Sequence, residues 1–359
     1  MKTETGIDDK RLSAARQLFE EGINKQLYPG GAVLASYKNE VIMQVCAGHT
    51  DFSHTAEVNE NTLFDLASLT KPIATAPAVL ALYQDGLVSL DQCVTEFFPE
   101  RHLPHLEKVT LRHLLTHTSG LPSWRALYSN AHTRKQAIDE LFAIDLEHEP
   151  GTAYTYSCLG YIMLGLVIEA VSGESMDQFV KRRLFQPMGM PNTLFNPSPT
   201  KYLCCATDHS KTRARMLVGE VHDDNAFVLG GVAGNAGLFS NILDLATFCR
   251  HITIREQLCK KIPLEDAVLK LMFQNAVPEK IGMQSVGWFM KGNEMFPGGE
   301  FVSKFAIGHS GFTGTAMVID PACELFVILL TNRVCLDDSG MEFRKQRRSV
   351  FDAIVGAIV

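Results

Sequence analysis

Apolar residues Leu12, Ala15, Leu18, Phe19 and Ile23 recur with the 3.6-residue period of a helix, behind Asp8 and Asp9 as capping residues. Pro29, Gly30 and Gly31 stop that pattern. The runs "AVLASYK" and "VIMQVCAG", on either side of Asn39 and Glu40, predict an antiparallel hairpin with buried β-branched residues. From about Thr70 to about Leu184 the pattern is mainly helical, and within it "VTLRHLLTHTSGLP" opens on a Thr cap and stops at Ser-Gly-Leu-Pro. Glycine-rich "LGGVAGNAGLFS" predicts a turn-laden crossing over 229–240, followed by a helix through "NILDLATFCRHI". Strand-like runs return as "VGWFMKG", "KFAIGHSG", "GTAMVIDP" and "CELFVILLTN" before a closing helix.

Strands near both ends with helices between them predict an α+β fold. One antiparallel sheet is built from both ends of the chain and flanked by N- and C-terminal helices, beside a helical lobe. The expected division is a discontinuous α/β domain from 1–75 and 225–359 and a mainly helical domain over 76–224. The active site belongs in the cleft between them. A chain of 359 residues can bury a core of that size, and 46% hydrophobic with 20% charged residues is a globular composition.

No apolar run reaches the roughly 18 residues that a spanning helix needs, so no membrane partner is expected. The opening "MKTETGIDDKRLSAARQLFEEG" lacks the apolar stretch of a secretory signal, which predicts a cytoplasmic protein. A net charge of −7 disfavours nucleic acid. The basic cluster Arg344, Lys345, Arg347 and Arg348 follows a helical period and reads as a solvated face rather than a phosphate patch. Nine cysteines without C-x-x-C spacing predict reduced, mostly buried thiols.

The chemistry concentrates in "LFDLASLTKPIATAPAVLALYQDG". Residues i and i+3 share a helix face, so the Ser68 hydroxyl and the Lys71 amine can meet. A serine becomes a nucleophile when a base takes its proton, and a lysine serves as that base once desolvation lowers its pKa. Phe64, Leu66, Leu69, Ile73 and Ala74 provide apolar surroundings. A helix starting near Ala67 or Ser68 puts Pro72 at its first turn and the serine where free amides favour a developing oxyanion. Alone, Ser-x-x-Lys is a weak signal. Two further stretches add to it: "PGTAYTYSCLGYIMLG", with Tyr156 at a loop–helix junction, and "FAIGHSGFTGTAMVID", a strand broken by His309, Ser310 and Gly311.

Together the three resemble the penicillin-recognising serine hydrolases: class C β-lactamases, D,D-peptidases and their esterase relatives. Ser68 to Lys71 match the Ser-x-x-Lys motif, Tyr156 to Cys158 match Tyr-x-Asn in part, and His309 to Gly311 match the His-x-Gly variant of Lys-Thr-Gly. The resemblance runs from about Arg11 to about Ile354. It implies Ser68 as the nucleophile of an acyl-enzyme, with Lys71 and Tyr156 sharing general-base and relay work. It implies His309 in place of the usual lysine, and an oxyanion hole from the N–H groups of Ser68 and Phe312. Substrate contacts would come from Cys158, Ser310 and Gly311, while Trp124 either lines the cleft mouth or packs within its loop. No metal or organic cofactor is implied.

Cys158 stands where the family usually has asparagine, and a thiol is a weak hydrogen-bonding group. That departure, with His309, points to small acyl esters or D-amino-acid peptides ahead of β-lactams. The alternative is an inactive member acting as a binding or self-assembling scaffold; oligomeric state is left open. His113 and His117, four apart, have zinc-ligand spacing but read as capping or core residues, and His222 to Asn225 as a turn linking the lobes.

Overall fold

Asp8 accepts the Lys10 and Arg11 N–H groups and so starts α1 (Asp9–Asn24) in the computed structural model, which describes residues 6–253, 263–335 and 340–358. The hairpin follows as β1 (Gly30–Tyr37) and β2 (Glu40–Gly48). Its turn is Lys38-Asn39, one residue earlier than expected, with φ of 48° and 67°. A two-residue hairpin needs left-handed conformations at both central positions, and asparagine tolerates one better than glutamate.

β3 (Phe64–Asp65) leads into a 3₁₀ turn at Ala67–Leu69, a π-helical turn at Lys71–Thr75 and then α2 (Ala76–Gln84). The regular helix therefore begins later than the sequence pattern placed it. Pro72 cannot donate to the ladder, and the turn around it widens. α3 (Leu111–Leu115), α4 (Arg134–Phe142), α5 (Cys158–Ser172), α6 (Met176–Val180) and α7 (Gln186–Met188) make up the helical region. α3 ends before Ser-Gly-Leu-Pro because His117 turns left-handed, at φ 59°. Next come β4 (Leu194–Phe195), the hairpin β5 (Ala206–Ser210) and β6 (Arg215–Val218), and α8 (Asp224–Val228). β7 (Leu238–Ser240), α9 (Ile242–Thr253) and α10 (Asp266–Leu269) complete this part.

"VGWFMKG" yields only β8 (Phe289–Met290), bracketed by left-handed Gly287 and Gly292. β9 (Ile307–Ser310), β10 (Ala316–Asp320), β11 (Leu325–Thr331) and α11 (Gly340–Val355) finish the chain. The main sheet has the order β2-β1-β11-β10-β9-β8, antiparallel throughout, with both ends of the chain meeting at its centre.

Alternation along the strands splits the interior in two. Val33, Ala35, Val327 and Leu329 face Ala15 and Phe19 of α1 and Phe343, Phe351 and Ile354 of α11. Ala32, Leu34, Ile328 and Leu330 belong instead to the core built on α2 and α5. Each such large side chain contributes roughly 1.5–3 kcal/mol through burial. Three layers result: terminal helices, sheet, helical region.

Two expectations need correction. Among the eight cysteines described, all free, Cys204, Cys205 and Cys249 are buried and the other five only half-buried; Cys259 lies outside the described residues. In the basic cluster Arg344, Lys345 and Arg348 are exposed, but Arg347 folds inward. Its Nε finds no partner among the described residues, and burial, then Arg344, Arg348 and Arg333, lower its pKa to about 10. No single described helix is long and apolar enough to cross a membrane.

The crossing before β7 runs hard against α5. A Cβ at Gly234 would lie 1.9 Å from the Tyr161 carbonyl oxygen and 3.0 Å from the Gly165 nitrogen. Gly234→Ala is expected to lose about 1–3 kcal/mol by overpacking, read as a lower midpoint in urea denaturation.

Candidate active site

Asp65 organises the turn that carries Ser68. Its Oδ1 accepts the Ala67 N–H at 2.8 Å, holding Ala67 at a left-handed φ of 46°, and its Oδ2 accepts the His222 N–H at 2.7 Å. Thr70 Oγ1 donates to the Ala67 carbonyl at 2.7 Å and accepts the Leu238 N–H at 3.1 Å. Ser68 is left half-exposed at the head of this turn, with Lys71 buried one turn later.

The Lys71 amine has three acceptors: Ser68 Oγ at 2.9 Å, the Asn235 carbonyl at 3.0 Å and Cys158 Sγ at 3.5 Å. It also lies 5.1 Å from the Tyr156 ring centre and 5.7 Å from that of Tyr161. Burial lowers its pKa from the ordinary 10.5, opposed by the nearby Cys158 and Asp223. As an ammonium it donates to all three acceptors. Once it has lost a proton, the carbonyl and the sulfur still take its two N–H groups, and the lone pair can receive the serine proton.

Ser157 caps α5 by accepting the Gly160 N–H, and it donates to the Pro122 carbonyl. Tyr156 is thereby held just before the helix, its hydroxyl within reach of Ser68 and Cys158. Burial first, then Cys158, push its pKa well above 10. The Cys158 N–H donates to the Ser123 carbonyl. Trp124 follows on that loop, 44% exposed and 6.3 Å from the Tyr128 ring.

His309 sits on β9 opposite Met317, stacked on Phe289 at 4.3 Å and 6.0 Å from the Tyr156 ring. Its Nδ1 donates to the Ser310 carbonyl at 3.0 Å, and Nε2 is buried without a partner among the described residues. Burial, with Lys71 next, holds its pKa well below 6.5, so the imidazole is uncharged.

Beyond it the 311–315 turn is fastened to the residues just before Ser68. Thr313 and Thr315 donate to the Asp65 and Leu66 carbonyls at 2.7 and 3.1 Å, and a Cβ at Gly311 would lie 2.3 Å from the Leu66 oxygen. Phe312 is 60% exposed, its ring between His222 and the Arg333 guanidinium. Neither the Ser68 nor the Phe312 N–H has a hydrogen-bond partner among the described residues.

Ser68, Lys71, Tyr156, Cys158 and His309 are thus gathered around one buried amine, with Ser310, Gly311 and Phe312 alongside. Asp65, Asn235, Thr313 and Thr315 escaped the sequence reading, and Asp223 entered it only as part of a turn linking the lobes. The acid in "LFDL" was a visible signal; the Asn235 carbonyl was not, since any residue carries one. His113 Nδ1 accepts the Thr110 N–H and completes the α3 cap, and no metal-binding cluster occurs among the described residues. Asp223 caps α8 and binds Asn235, while Asn225 bridges to Arg125 and Leu127.

A family model described as Beta-lactamase matches residues 15–349. The chain belongs to the beta-lactamase family. Among curated relatives, this beta-lactamase family member is 29% identical to an N-acetylmuramyl-L-alanine amidase of Bacillus subtilis, over 90% of this chain and 81% of that one. It is 27% identical to a Salmonella agona protein named for D-alanyl-D-alanine carboxypeptidase activity, over 92% and 84%. Its fold matches EstCE1, a hydrolase with promiscuous acyltransferase activity, at a TM-score of 0.76, with 23% identity over 97% and 99% of the chains. The octameric penicillin-binding protein homologue from Pyrococcus abyssi matches at 0.72, with 23% identity over 90% and 74%.

The depressed Lys71 pKa also has a thermodynamic signature. Between its folded value and 10.5 the unfolded chain binds a proton that the folded one sheds, so stability rises with pH in that window. The stability of wild type minus that of Lys71→Met is expected to climb as pH approaches 10.5 and then level, read from urea denaturation at a series of pH values.

Proposed function

We propose that the protein is a serine hydrolase acting through an acyl-enzyme on small acyl esters, amides or D-amino-acid peptides. The observation that carries this reading is the 2.9 Å contact between Ser68 Oγ and the wholly buried Lys71 amine. Ser68 attacks the acyl carbonyl as its proton passes to Lys71, with Tyr156 relaying that proton to the leaving group. The Ser68 and Phe312 N–H groups receive the oxyanion; in comparable sites one such donor is worth ~10²–10³ in rate. Water then releases the acyl group by the same route in reverse.

Cys158 sets the substrate ranking. Asparagine at that position would offer an amide to the Lys71 amine and to a substrate amide, whereas the thiol offers Lys71 a weak acceptor at 3.5 Å. His309, uncharged and turned to the Ser310 carbonyl, brings no cation to a substrate carboxylate. Both features favour short acyl esters over β-lactams. The curated relatives, named for amidase and carboxypeptidase activities, support hydrolysis of wall-derived amides or peptides as the wider range.

Intact mass spectrometry after treatment with a fluorophosphonate, a p-nitrophenyl acyl ester and a penicillin tests the reading. One adduct is expected on wild type and none on Ser68→Ala; a folded wild type that takes no adduct would leave the scaffold alternative. Cys158→Asn is expected to raise amide or β-lactam turnover relative to ester turnover about tenfold, and an unchanged ratio would remove Cys158 from substrate recognition.

A further inference from the structure

His117 is not one of the family-motif residues, yet its side chain and backbone both grip the segment that carries Tyr156. Its Nδ1 accepts the Ser157 N–H at 3.0 Å, and its carbonyl accepts the Thr155 N–H at 2.9 Å. The residues on either side of Tyr156 are therefore both tied to this one histidine. The imidazole itself packs on the tyrosine, with ring centres 4.5 Å apart, and lies 5.0 Å from Tyr161 and 6.0 Å from Tyr154. His117 is 1% exposed, so nothing from solvent replaces either bond.

The backbone makes this grip possible. At φ 59° His117 occupies the left-handed region, which glycine and asparagine adopt most readily and histidine tolerates. That conformation ends α3 and lets carbonyl and ring address the same passing strand. An Nδ1 that accepts a hydrogen bond leaves the ring proton on Nε2, and Nε2 is buried without a partner among the described residues. His309, whose ring centre lies 6.0 Å from that of Tyr156, carries its proton on Nδ1 and has no partner for Nε2 among the described residues. Two buried imidazoles of opposite tautomer thus lie within 6.0 Å of the Tyr156 ring centre.

We infer that His117 is a positioning residue which, by holding the Thr155 and Ser157 amides, fixes the Tyr156 hydroxyl against Ser68 for proton relay. The inference rests on the role proposed above for Tyr156. It assigns His117 to the active site through its Nδ1 acceptor, not through metal binding or acid–base exchange with substrate.

The left-handed conformation allows a clean pair of variants. His117→Gly keeps the backbone and removes the acceptor; His117→Asn keeps the backbone and returns an oxygen near the Nδ1 position. On a p-nitrophenyl acyl ester, His117→Gly is expected to lower kcat about 10- to 100-fold with KM changed less than about twofold, and His117→Asn to recover most of the loss. Hydrogen exchange at the Thr155 and Ser157 amides should quicken in His117→Gly and slow again in His117→Asn. Full kcat in His117→Gly, or equal loss in both variants, would overturn the inference. If wild type itself turns over no ester, the acyl-enzyme reading has failed, and exchange alone decides whether the clamp exists. Exchange unchanged in His117→Gly, or a glycine variant too unstable to assay beside an asparagine variant with unprotected amides, would likewise overturn it.

Discussion

A primary amine taken wholly out of water is the constraint around which the rest is arranged. Desolvating an ammonium costs several kcal/mol unless acceptors compensate it. Lys71 finds them on three separate pieces of chain: the serine of its own turn, the Asn235 carbonyl on the glycine-rich crossing and the Cys158 sulfur at the head of α5. None of these pieces can move without stranding the amine. The close passage of Gly234 against Gly165 and Tyr161, and the bond from Thr75 Oγ1 to the Gly234 carbonyl, follow from that demand. They bring a backbone oxygen to a depth that no side chain at that position would allow.

A second set of bonds fixes where the Ser68 and Phe312 amides stand. Asp65 is buried and its pKa is raised by that burial, yet each carboxylate oxygen accepts a backbone N–H and its own carbonyl accepts a threonine hydroxyl. One residue thus ties the Ser68 turn to the segment before α8 and to the turn after β9. The two unpartnered N–H groups belong to pieces of chain that meet only through these contacts. Rigidity where charge develops is what makes such donors effective.

Much of this was readable in the residues. Helical and strand periods located the terminal helices and the hairpin because α1, α11 and β2 bury one face and expose the other, and the inner strands showed as apolar runs because both their faces are buried. What periodicity could not show was irregular backbone. The π-helical turn at Lys71–Thr75, the left-handed Ala67 and His117, and the two-residue β8 are each set by contacts with distant segments. The serine, lysine, tyrosine and histidine were visible because their chemistry requires those side chains. Asn235 was hidden because it serves Lys71 through a carbonyl, and His117 because a capping or core reading of the His113–His117 pair said nothing of its bonds to the Thr155 and Ser157 amides.

The central pairing of the sheet joins Gly31–Tyr37 to Leu325–Thr331, nearly the full length of the chain apart. Loop closure over such a span costs only logarithmically more than over a short one, but it has to wait for the last strands to be made. While the chain is being synthesised, β1 has a partner on one edge alone, and Val33 and Ala35 lack the α11 residues that later cover them. The core on α2 and α5 is likewise incomplete until Ile328 and Leu330 reach it. Ser68 and Lys71 leave the ribosome well before the strand that carries His309 and the Phe312 amide. The Ser68 and Phe312 amides come together only as the finished chain closes its sheet.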